Sequence, residues 1–299
     1  MGKEILFIAA VLPVVGLCYF IYKKDMHREP AGILAKLFSL GMLSVLPVIF
    51  VELFLSASFP TEGVNNFIGL YINVFISVAL AEEGFKWLIT KYGGYNNKEF
   101  DEIYDIIVYA VFASLGFACI ENILYVFQNG LGNAIMRAIL SVPGHMCFAV
   151  IMGYYFARAK LAHINNNQPL YKKNLSLSIV MPCIMHTTYD ALLMWGGGST
   201  FILFLAFDIF MVVYCFGTVN RMSKIQRTLT NNVNSGVVTT NSSGYVQYNN
   251  PTPVQNAQPA QSTQSAQPAV NAPVAGYCPI CGTPERGDRF CGSCGYKLR

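Results

Sequence analysis

The sequence predicts an all-α polytopic membrane protein, followed by a disordered linker and a small cysteine-rich module. Its 299 residues are 54% hydrophobic and 12% charged, whereas soluble domains carry about 25% charged residues. About seven apolar runs are each long enough to cross a hydrocarbon core of about 30 Å as a helix. These runs cover approximately residues 4–22, 31–55, 64–90, 103–128, 133–159, 174–196 and 199–220.

The charges of the connections predict the orientation of these helices. The connections near residues 56–63, 129–132 and 196–198 contain no Lys or Arg, whereas the segment after each odd-numbered helix is basic. Basic residues are retained on the cytoplasmic side, so we expect a multi-pass protein of the cell membrane with its N-terminus outside and its C-terminus in the cytoplasm. We also expect the first run to be kept as a helix and not removed as a signal peptide. The basic residues that follow helices 1, 3, 5 and 7 are Lys23, Lys24, Arg28, Lys91, Lys98, Arg158, Lys160, Lys172, Lys173, Arg221, Lys224 and Arg227.

Residues 1–227 form the predicted membrane domain, and the composition changes completely after it. Residues 228–276 consist mainly of Asn, Gln, Ser, Thr, Pro, Ala and Val, and no charged residue lies between Arg227 and Glu285. Such a segment cannot bury a hydrophobic core, so we predict a flexible, solvated linker. A flexible linker of this length has a root-mean-square span of roughly 40 Å.

Residues 277–299 contain two C-x-x-C pairs, each followed by Gly, with nine residues between the pairs. Each pair places two thiolates on one tight turn, and four thiolates form a closed structural Zn²⁺ site. A redox dithiol pair is the alternative. The segment resembles the zinc-ribbon tails of many bacterial and archaeal membrane proteins, and a cytoplasmic protein is a candidate partner for it. The four predicted ligands are Cys278, Cys281, Cys291 and Cys294.

Helix 3 carries two consecutive carboxylates within an otherwise apolar run. Glu82 and Glu83 lie four and three residues before Lys86, so either can reach its ammonium along the helix. An ion-paired helix end with a snorkelling lysine is one interpretation. Because one lysine cannot neutralise two carboxylates, the surplus carboxylate is a candidate general base.

Helices 4 and 5 add a carboxylate and a histidine. Glu121 can contribute to a polar site, or it can simply pair with Arg137 on the next helix. His145 follows Pro143, which opens the local hydrogen-bond ladder, and the glycines at 144 and 153 allow a close approach of helices.

Helix 6 places His186 and Asp190 on one face, at i,i+4 spacing. A charge near the middle of a bilayer costs at least about 2.5–3.5 kcal/mol. Carboxylates and histidines on four helices are therefore expected to gather in one internal site. His145 and His186 lie about 18–21 Å from the predicted cytoplasmic ends of their helices, whereas Glu82 and Glu83 are shallower and Glu121 is deeper. A single site therefore requires tilted helices or helix ends shifted from those predicted. Asp208 on helix 7 has no motif around it and stays unassigned.

Taken together, these motifs resemble the PrsW family of intramembrane proteases, within the wider group that includes type II CAAX prenyl proteases. The resemblance covers approximately residues 60–196. It implies hydrolysis of a peptide bond in a membrane-anchored protein, within or beside the lipid bilayer, as in the regulated proteolysis of a signalling protein. The motifs, in chain order, are Glu82-Glu83-x-x-Lys86, Phe117-x-x-x-Glu121, His145 and His186-x-x-x-Asp190.

Two mechanisms agree with these residues. Both use Glu82 or Glu83 as the general base, and Lys86 holds the other carboxylate. Sequence alone does not decide whether the enzyme is a metallo-type or a glutamate-type peptidase.

The two mechanisms differ in what activates the water. In the metal version, His145, His186 and Glu121 bind a second, catalytic Zn²⁺ with one position open for water, and Asp190 orients His186 or helps to position the water. In the version without a metal, a glutamate and His145 activate the water, while His186 and Asp190 stabilise the tetrahedral intermediate.

Two other classes of function remain as alternatives. A chain of carboxylates and histidines is also typical of proton- or ion-coupled transporters, but the sequence has no internal repeat with paired broken helices. An inactive scaffold that presents the zinc ribbon is the third possibility. The net charge of +4, without a basic patch interleaved with aromatic residues, argues against a nucleic acid as a partner.

Overall fold

The structure, a computed structural model, describes residues 2–97, 99–100, 102–164, 166–234, 238–240 and 246–248. The predicted zinc ribbon and most of the predicted linker lie outside these residues. The elements, in chain order, are α1 (Lys3–Lys24), α2 (Ala31–Ser56), α3 (Phe67–Val74), a π-helix π1 (Phe75–Ala79), α4 (Leu80–Ile89), a second π-helix π2 (Thr90–Tyr95), α5 (Asp105–Ile139), α6 (Ser141–Ile164), α7 (Gln168–Trp195), α8 (Gly198–Asn234), β1 (Val238–Thr240) and β2 (Val246–Tyr248).

The predicted all-α membrane fold is confirmed. Six helical stretches of the described chain are long and apolar enough to cross a membrane. One of them, Asp105–Ile164, has 60 residues and contains both the fourth and the fifth predicted helices. The predicted count of seven therefore depends on how this long stretch is folded.

The long stretch folds back on itself at Gly130. Its backbone there has φ 78°, in the left-handed region that favours glycine. The Ser114 hydroxyl donates to the backbone carbonyl of His145 at 3.0 Å, and Arg137 Nε donates to the Asn122 side chain at 2.8 Å. Residues at nearly equal distances before and after Gly130 thus contact each other, so the two arms run antiparallel. Counting these arms separately gives seven helical segments.

Several helices end later than the apolar runs predict. The third predicted helix, expected to end near residue 90, continues through π2 to Tyr95, and α6 continues to Ile164 instead of 159. α8 extends to Asn234, within the predicted linker, where β1 and β2 also pair in antiparallel register. Apolarity marks the residues that lie in lipid, but a backbone helix can continue into water.

Local signals account for several helix boundaries. Asn66 and Asn167 are N-caps: their side-chain oxygens accept hydrogen bonds from the backbone N–H groups of Gly69 and Leu170. α7 ends at Gly196, which has φ 70°.

α5 is the central helix of the bundle and packs against α1, α2 and α6, while α6 also packs against α7 and α8. Nearly every residue from Asp105 to Cys119 is buried, as expected for a helix that is apolar on all sides. By contrast, α2 exposes large hydrophobic side chains such as Phe50 and Phe54. We assign this exposed face to the lipid.

Glycines set the distance between α5 and its neighbours. A Cβ atom on Gly41 would lie 2.0 Å from the carbonyl oxygen of Ala113, and one on Gly116 would lie 2.1 Å from that of Phe38. Gly153 makes a similar close approach, with a Cβ at 2.7 Å from Ile107 Cα. Gly144, for which the sequence predicted the same role, leaves 3.6 Å to its nearest neighbour. Small residues thus let α2 and α6 contact the backbone of α5.

We expect Gly116→Ala to destabilise the protein by about 1–3 kcal/mol, because the new methyl group must push α2 away from α5. Thermal unfolding of the full chain, purified in detergent, measures this effect. Gly16→Ala on α1 is the matched control, because a Cβ there has nothing within 4 Å. Equal melting temperatures for the two variants would contradict this account of the packing.

Candidate active site

The segment π1–α4–π2 positions the acidic pair. π-Helical turns are rare and often occur at functional sites, and here one precedes and one follows α4. Glu82, Glu83 and Lys86 are all buried on α4. The helix of the pair and α6 both continue five residues beyond their predicted ends, so these shifts do not change the depth of the pair relative to His145.

The ammonium of Lys86 is the centre of the site. The Lys86 side chain is fully buried, and its Nζ lies 2.8 Å from Glu82 Oε2 and 2.8 Å from Glu83 Oε1. It also lies 3.2 Å from Nδ1 of His145 and 4.3 Å from the ring centroid of Phe117. We expected Lys86 to hold one of the two carboxylates, but it contacts both.

Glu121 joins the site through His145. Its Oε2 lies 2.7 Å from His145 Nε2 and 3.1 Å from Arg137 Nη2. Glu121 therefore contacts both the predicted site and Arg137, and its functional role stays a prediction. The Arg137 guanidinium also lies 4.2 Å from the ring centroid of Tyr125, which fixes the orientation of the arginine.

His186 connects the acidic pair to α7. Its Nδ1 lies 3.1 Å from Glu83 Oε1, and its Nε2 lies 3.2 Å from Asp190 Oδ2. Phe148 stacks on the imidazole with ring centroids 4.7 Å apart, and the ring centroids of His145 and His186 are 5.8 Å apart. All the predicted catalytic residues thus belong to one contiguous network: Glu82, Glu83, Lys86, Glu121, His145, His186 and Asp190.

Glu52 on α2 is a further carboxylate of the site, which the sequence interpretation missed. It interacts electrostatically with Glu82 and Glu121, and its Oε1 is buried without a hydrogen-bond partner among the described residues. The signal for it was present, because Glu52 is also a carboxylate within an apolar run. Glu52 was not assigned to the site because it lies far along the chain from the recognised motifs.

The site has an excess of negative charge. The carboxylates are Glu52 and those of the predicted network, whereas Lys86 and Arg137 are the permanently charged cations that contact the network. Buried carboxylates need cations, protonation or hydrogen bonds. Protonated histidines or a bound metal ion would compensate for this excess.

Two different sets of side chains in the site carry nitrogen and oxygen atoms of the kind that bind metal ions. Glu82, Glu83 and His145 present ligand atoms that all lie within 4.8 Å of one another. However, the Lys86 ammonium already contacts all three, and its positive charge would repel a metal cation there. The predicted set of His145, His186 and Glu121 uses other atoms, because Nε2 of His145 faces Glu121 and Nε2 of His186 faces Asp190. That ligand set stays a prediction.

Comparison with known proteins decides the family. Residues 29–217 match the family described as PrsW family intramembrane metalloprotease. The chain belongs to the PrsW family. Residues 277–298 of this PrsW-family protein match a zinc-ribbon domain, in agreement with the predicted module.

Curated relatives of this PrsW-family protein carry the name Protease PrsW. The relative from Oceanobacillus iheyensis is 41% identical over 197 residues, which cover 66% of this chain and 86% of the relative. The relative from Geobacillus kaustophilus is 40% identical over 193 residues (63% and 81%), and that from Bacillus subtilis is 36% identical over 186 residues (62% and 81%). No solved structure matches. Membership of the family favours the protease over the transporter and the inactive scaffold.

We expect Lys86→Met to cost about 3–5 kcal/mol of stability, because it leaves two buried carboxylates without their shared cation. Thermal unfolding in detergent measures the loss. Lys36→Met is the matched control, since Lys36 is an exposed lysine on α2 and should tolerate the change. If the Lys86→Met and Lys36→Met proteins have the same melting temperature, Lys86 does not hold the site together.

Proposed function

We propose that this PrsW-family protein is an endopeptidase that hydrolyses a peptide bond of a membrane-anchored protein, as a step in the regulated proteolysis of a signalling protein. One observation carries the proposal. Glu83 is held through Oε1 by Lys86 and His186, while its Oε2 is buried without a hydrogen-bond partner among the described residues. A carboxylate that is fixed through one oxygen and free at the other is well placed to accept a proton from water.

Glu83 acts as the general base in this proposal. Its Oε2 takes a proton from the water as the water oxygen attacks the carbonyl carbon of the scissile bond. When the tetrahedral intermediate collapses and the C–N bond breaks, Glu83 returns this proton to the leaving amine nitrogen. Glu82 also contacts the Lys86 ammonium and keeps this ammonium beside Glu83, so that Glu83 stays ionised before the reaction.

The histidines stabilise charge as it develops. Lys86 lies 3.2 Å from His145, so the positive charge on this side of the site is available to the oxyanion of the intermediate. Asp190 orients His186 through Nε2, and this contact keeps Nδ1 directed at Glu83.

A catalytic Zn²⁺ completes the proposal. His145, His186 and Glu121 are the residues that would hold it. Nε2 of His145 faces Glu121, while Nδ1 of the same ring is the nitrogen beside the Lys86 ammonium. His186 would bind the ion through one ring nitrogen in place of the carboxylate that this nitrogen faces. When bound, the ion would act as a Lewis acid and lower the pKa of its water. The family description as metalloproteases supports this choice over the version without a metal.

We further propose that Cys278, Cys281, Cys291 and Cys294 hold a structural Zn²⁺ in a cytoplasmic C-terminal module, on a linker that lets it search for a partner. The match to a zinc-ribbon domain and the basic segments of the sequence support this arrangement. In this proposal the module recruits the cytoplasmic part of a substrate or another protein partner, and the protein is a multi-pass protein of the cell membrane.

Single substitutions test the catalytic roles. We expect Glu83→Gln and His186→Ala to reduce cleavage by about 10²–10⁴-fold, because the first removes the general base and the second removes the group that holds this base and would bind the metal. Each variant is co-expressed with a panel of epitope-tagged single-pass membrane proteins, and immunoblots report the truncated products.

Asp208→Asn is the matched control for these variants. Asp208 is a buried carboxylate on α8, outside the network, so this variant should cleave like the wild type. A truncated product that Glu83→Gln forms as fast as the wild type would exclude Glu83 as the base.

The zinc content tests the metal. We expect a variant with all four cysteines of the C-terminal module replaced by Ser to keep one zinc per chain, measured by elemental mass spectrometry on the purified protein. Adding His145→Ala should remove this zinc, whereas adding Glu83→Gln should not, because Glu83 is a base and not a ligand in this proposal.

Two results would contradict this assignment. Cleavage by the four-Ser variant without any bound metal would exclude the metal mechanism. Loss of zinc in the Glu83→Gln variant would indicate that the zinc ligands are Glu82, Glu83 and His145 instead.

A further inference from the structure

A second buried cluster of carboxylates lies where the connection between α1 and α2 meets the start of α5. Asp25, Glu29 and Asp105 present oxygen atoms that all lie within 4.8 Å of one another. Their exposed fractions are 5%, 5% and 0%. Asp105 and Glu121 are sixteen residues apart on α5, about 24 Å at 1.5 Å per residue. The cluster is therefore separate from the active site.

Asp25 is not satisfied by its protein neighbours. Neither of its oxygens makes a hydrogen bond of ordinary geometry within the described part of the chain. Burial, and after it the nearby carboxylates of Glu102 and Glu29, raise the pKa of Asp25 to about 7. The backbone N–H groups of Glu29 and Met26 offset only part of this rise. A buried, uncompensated carboxylate is costly unless it is paired or coordinates a metal.

An independent group points into the same place. The Tyr104 side chain is 1% exposed, and its hydroxyl has no hydrogen-bond partner among the described residues. Asp25 is the nearby charged side chain with the largest electrostatic effect on it. A buried tyrosine normally finds a partner for its hydroxyl. A single bound cation would satisfy both this hydroxyl and the carboxylate of Asp25.

The other carboxylates of the cluster are held in fixed orientations. The Tyr109 hydroxyl donates to Glu29 Oε2, and the backbone N–H of Glu102 donates to Asp105 Oδ2 at 2.6 Å. Such contacts from surrounding groups are typical of metal sites, where they orient the ligands. All the converging atoms are oxygens, which hard cations prefer over the nitrogen and sulfur ligands of zinc.

We propose that Asp25, Glu29 and Asp105 bind a hard divalent cation, such as Mg²⁺, Ca²⁺ or Mn²⁺, with the Tyr104 hydroxyl beside it. The bound cation joins the connection between α1 and α2 to the first turn of α5. It thereby fixes the end of the central helix that is farther from the active site. The proposal does not depend on the peptidase activity.

Direct binding tests the proposal. Mn²⁺ is titrated into the purified full-length protein in detergent, and electron paramagnetic resonance counts the bound ions. We expect Asp25→Asn and Asp105→Asn each to lose one Mn²⁺ that the wild type binds. Asp208→Asn, the matched buried carboxylate, should bind like the wild type. Competition by Mg²⁺ and by Ca²⁺ then shows which cation the site prefers.

The melting temperature of the wild type provides a second test of the cation site. At saturating concentration, at least one of the three cations should raise the melting temperature of the wild type by roughly 5 °C or more, because it binds only the folded state. Asp25→Asn should lose this increase. The proposal is overturned if none of the three cations stabilises the wild type, or if Asp25→Asn binds as many Mn²⁺ ions as the wild type.

The active site is tested separately in the same titration. Glu83→Gln leaves the cluster intact and should keep the Mn²⁺ that Asp25→Asn loses. A Glu83→Gln protein that loses this same ion would place it in the active site and overturn the proposal. Loss of peptidase activity alone, with the ion retained, would leave the cation site as proposed.

Discussion

The rest of the site depends on one buried ammonium. Lys86 is fully enclosed and contacts both carboxylates of α4 and the imidazole of His145. Its counter-ions Glu82 and Glu83 lie on the same helix, whereas its contact on α6 is the imidazole of His145. Moving α4 away from α6 would therefore leave buried polar groups without their hydrogen bond. Through Glu83 the same constraint reaches His186 on α7. The network around this cation thus connects α4 with α6 and α7.

Close packing of the helices keeps the groups around Lys86 at fixed distances from one another. Backbone contacts at Gly41 and Gly116 hold α2 against α5, and α5 carries Glu121 to its position beside His145. A site built on rigid helices keeps its distances better than one built on loops. Gly153 likewise brings the backbone of α6 against α5, and these two helices carry His145 and Glu121, which contact each other at 2.7 Å.

The sequence was sufficient for the membrane fold and for most residues of the network, but not for the geometry of the network. Apolar runs located the helices, and ionisable residues within them marked the site, because charges in lipid require partners. Helix ends such as Tyr95 were missed, since hydrogen bonding continues a helix beyond the lipid and π-turns change its register. Glu52 was missed because its partners become neighbours only when α2 packs beside α4 and α5. The sharing of Lys86 by both carboxylates likewise depends on side-chain positions that spacing alone does not determine.

The turn at Gly130 has a consequence for how the protein enters the membrane. The two arms of this helical hairpin carry opposite charges at matching heights, with Glu121 on one arm and Arg137 on the other, 3.1 Å apart. Each arm alone would bring an isolated charge into the hydrocarbon. When the arms insert together as a closed hairpin, they bring a neutralised pair, and the cost of desolvation falls. The glycine that reverses the chain therefore also makes this pair of helices a natural unit of membrane insertion during synthesis.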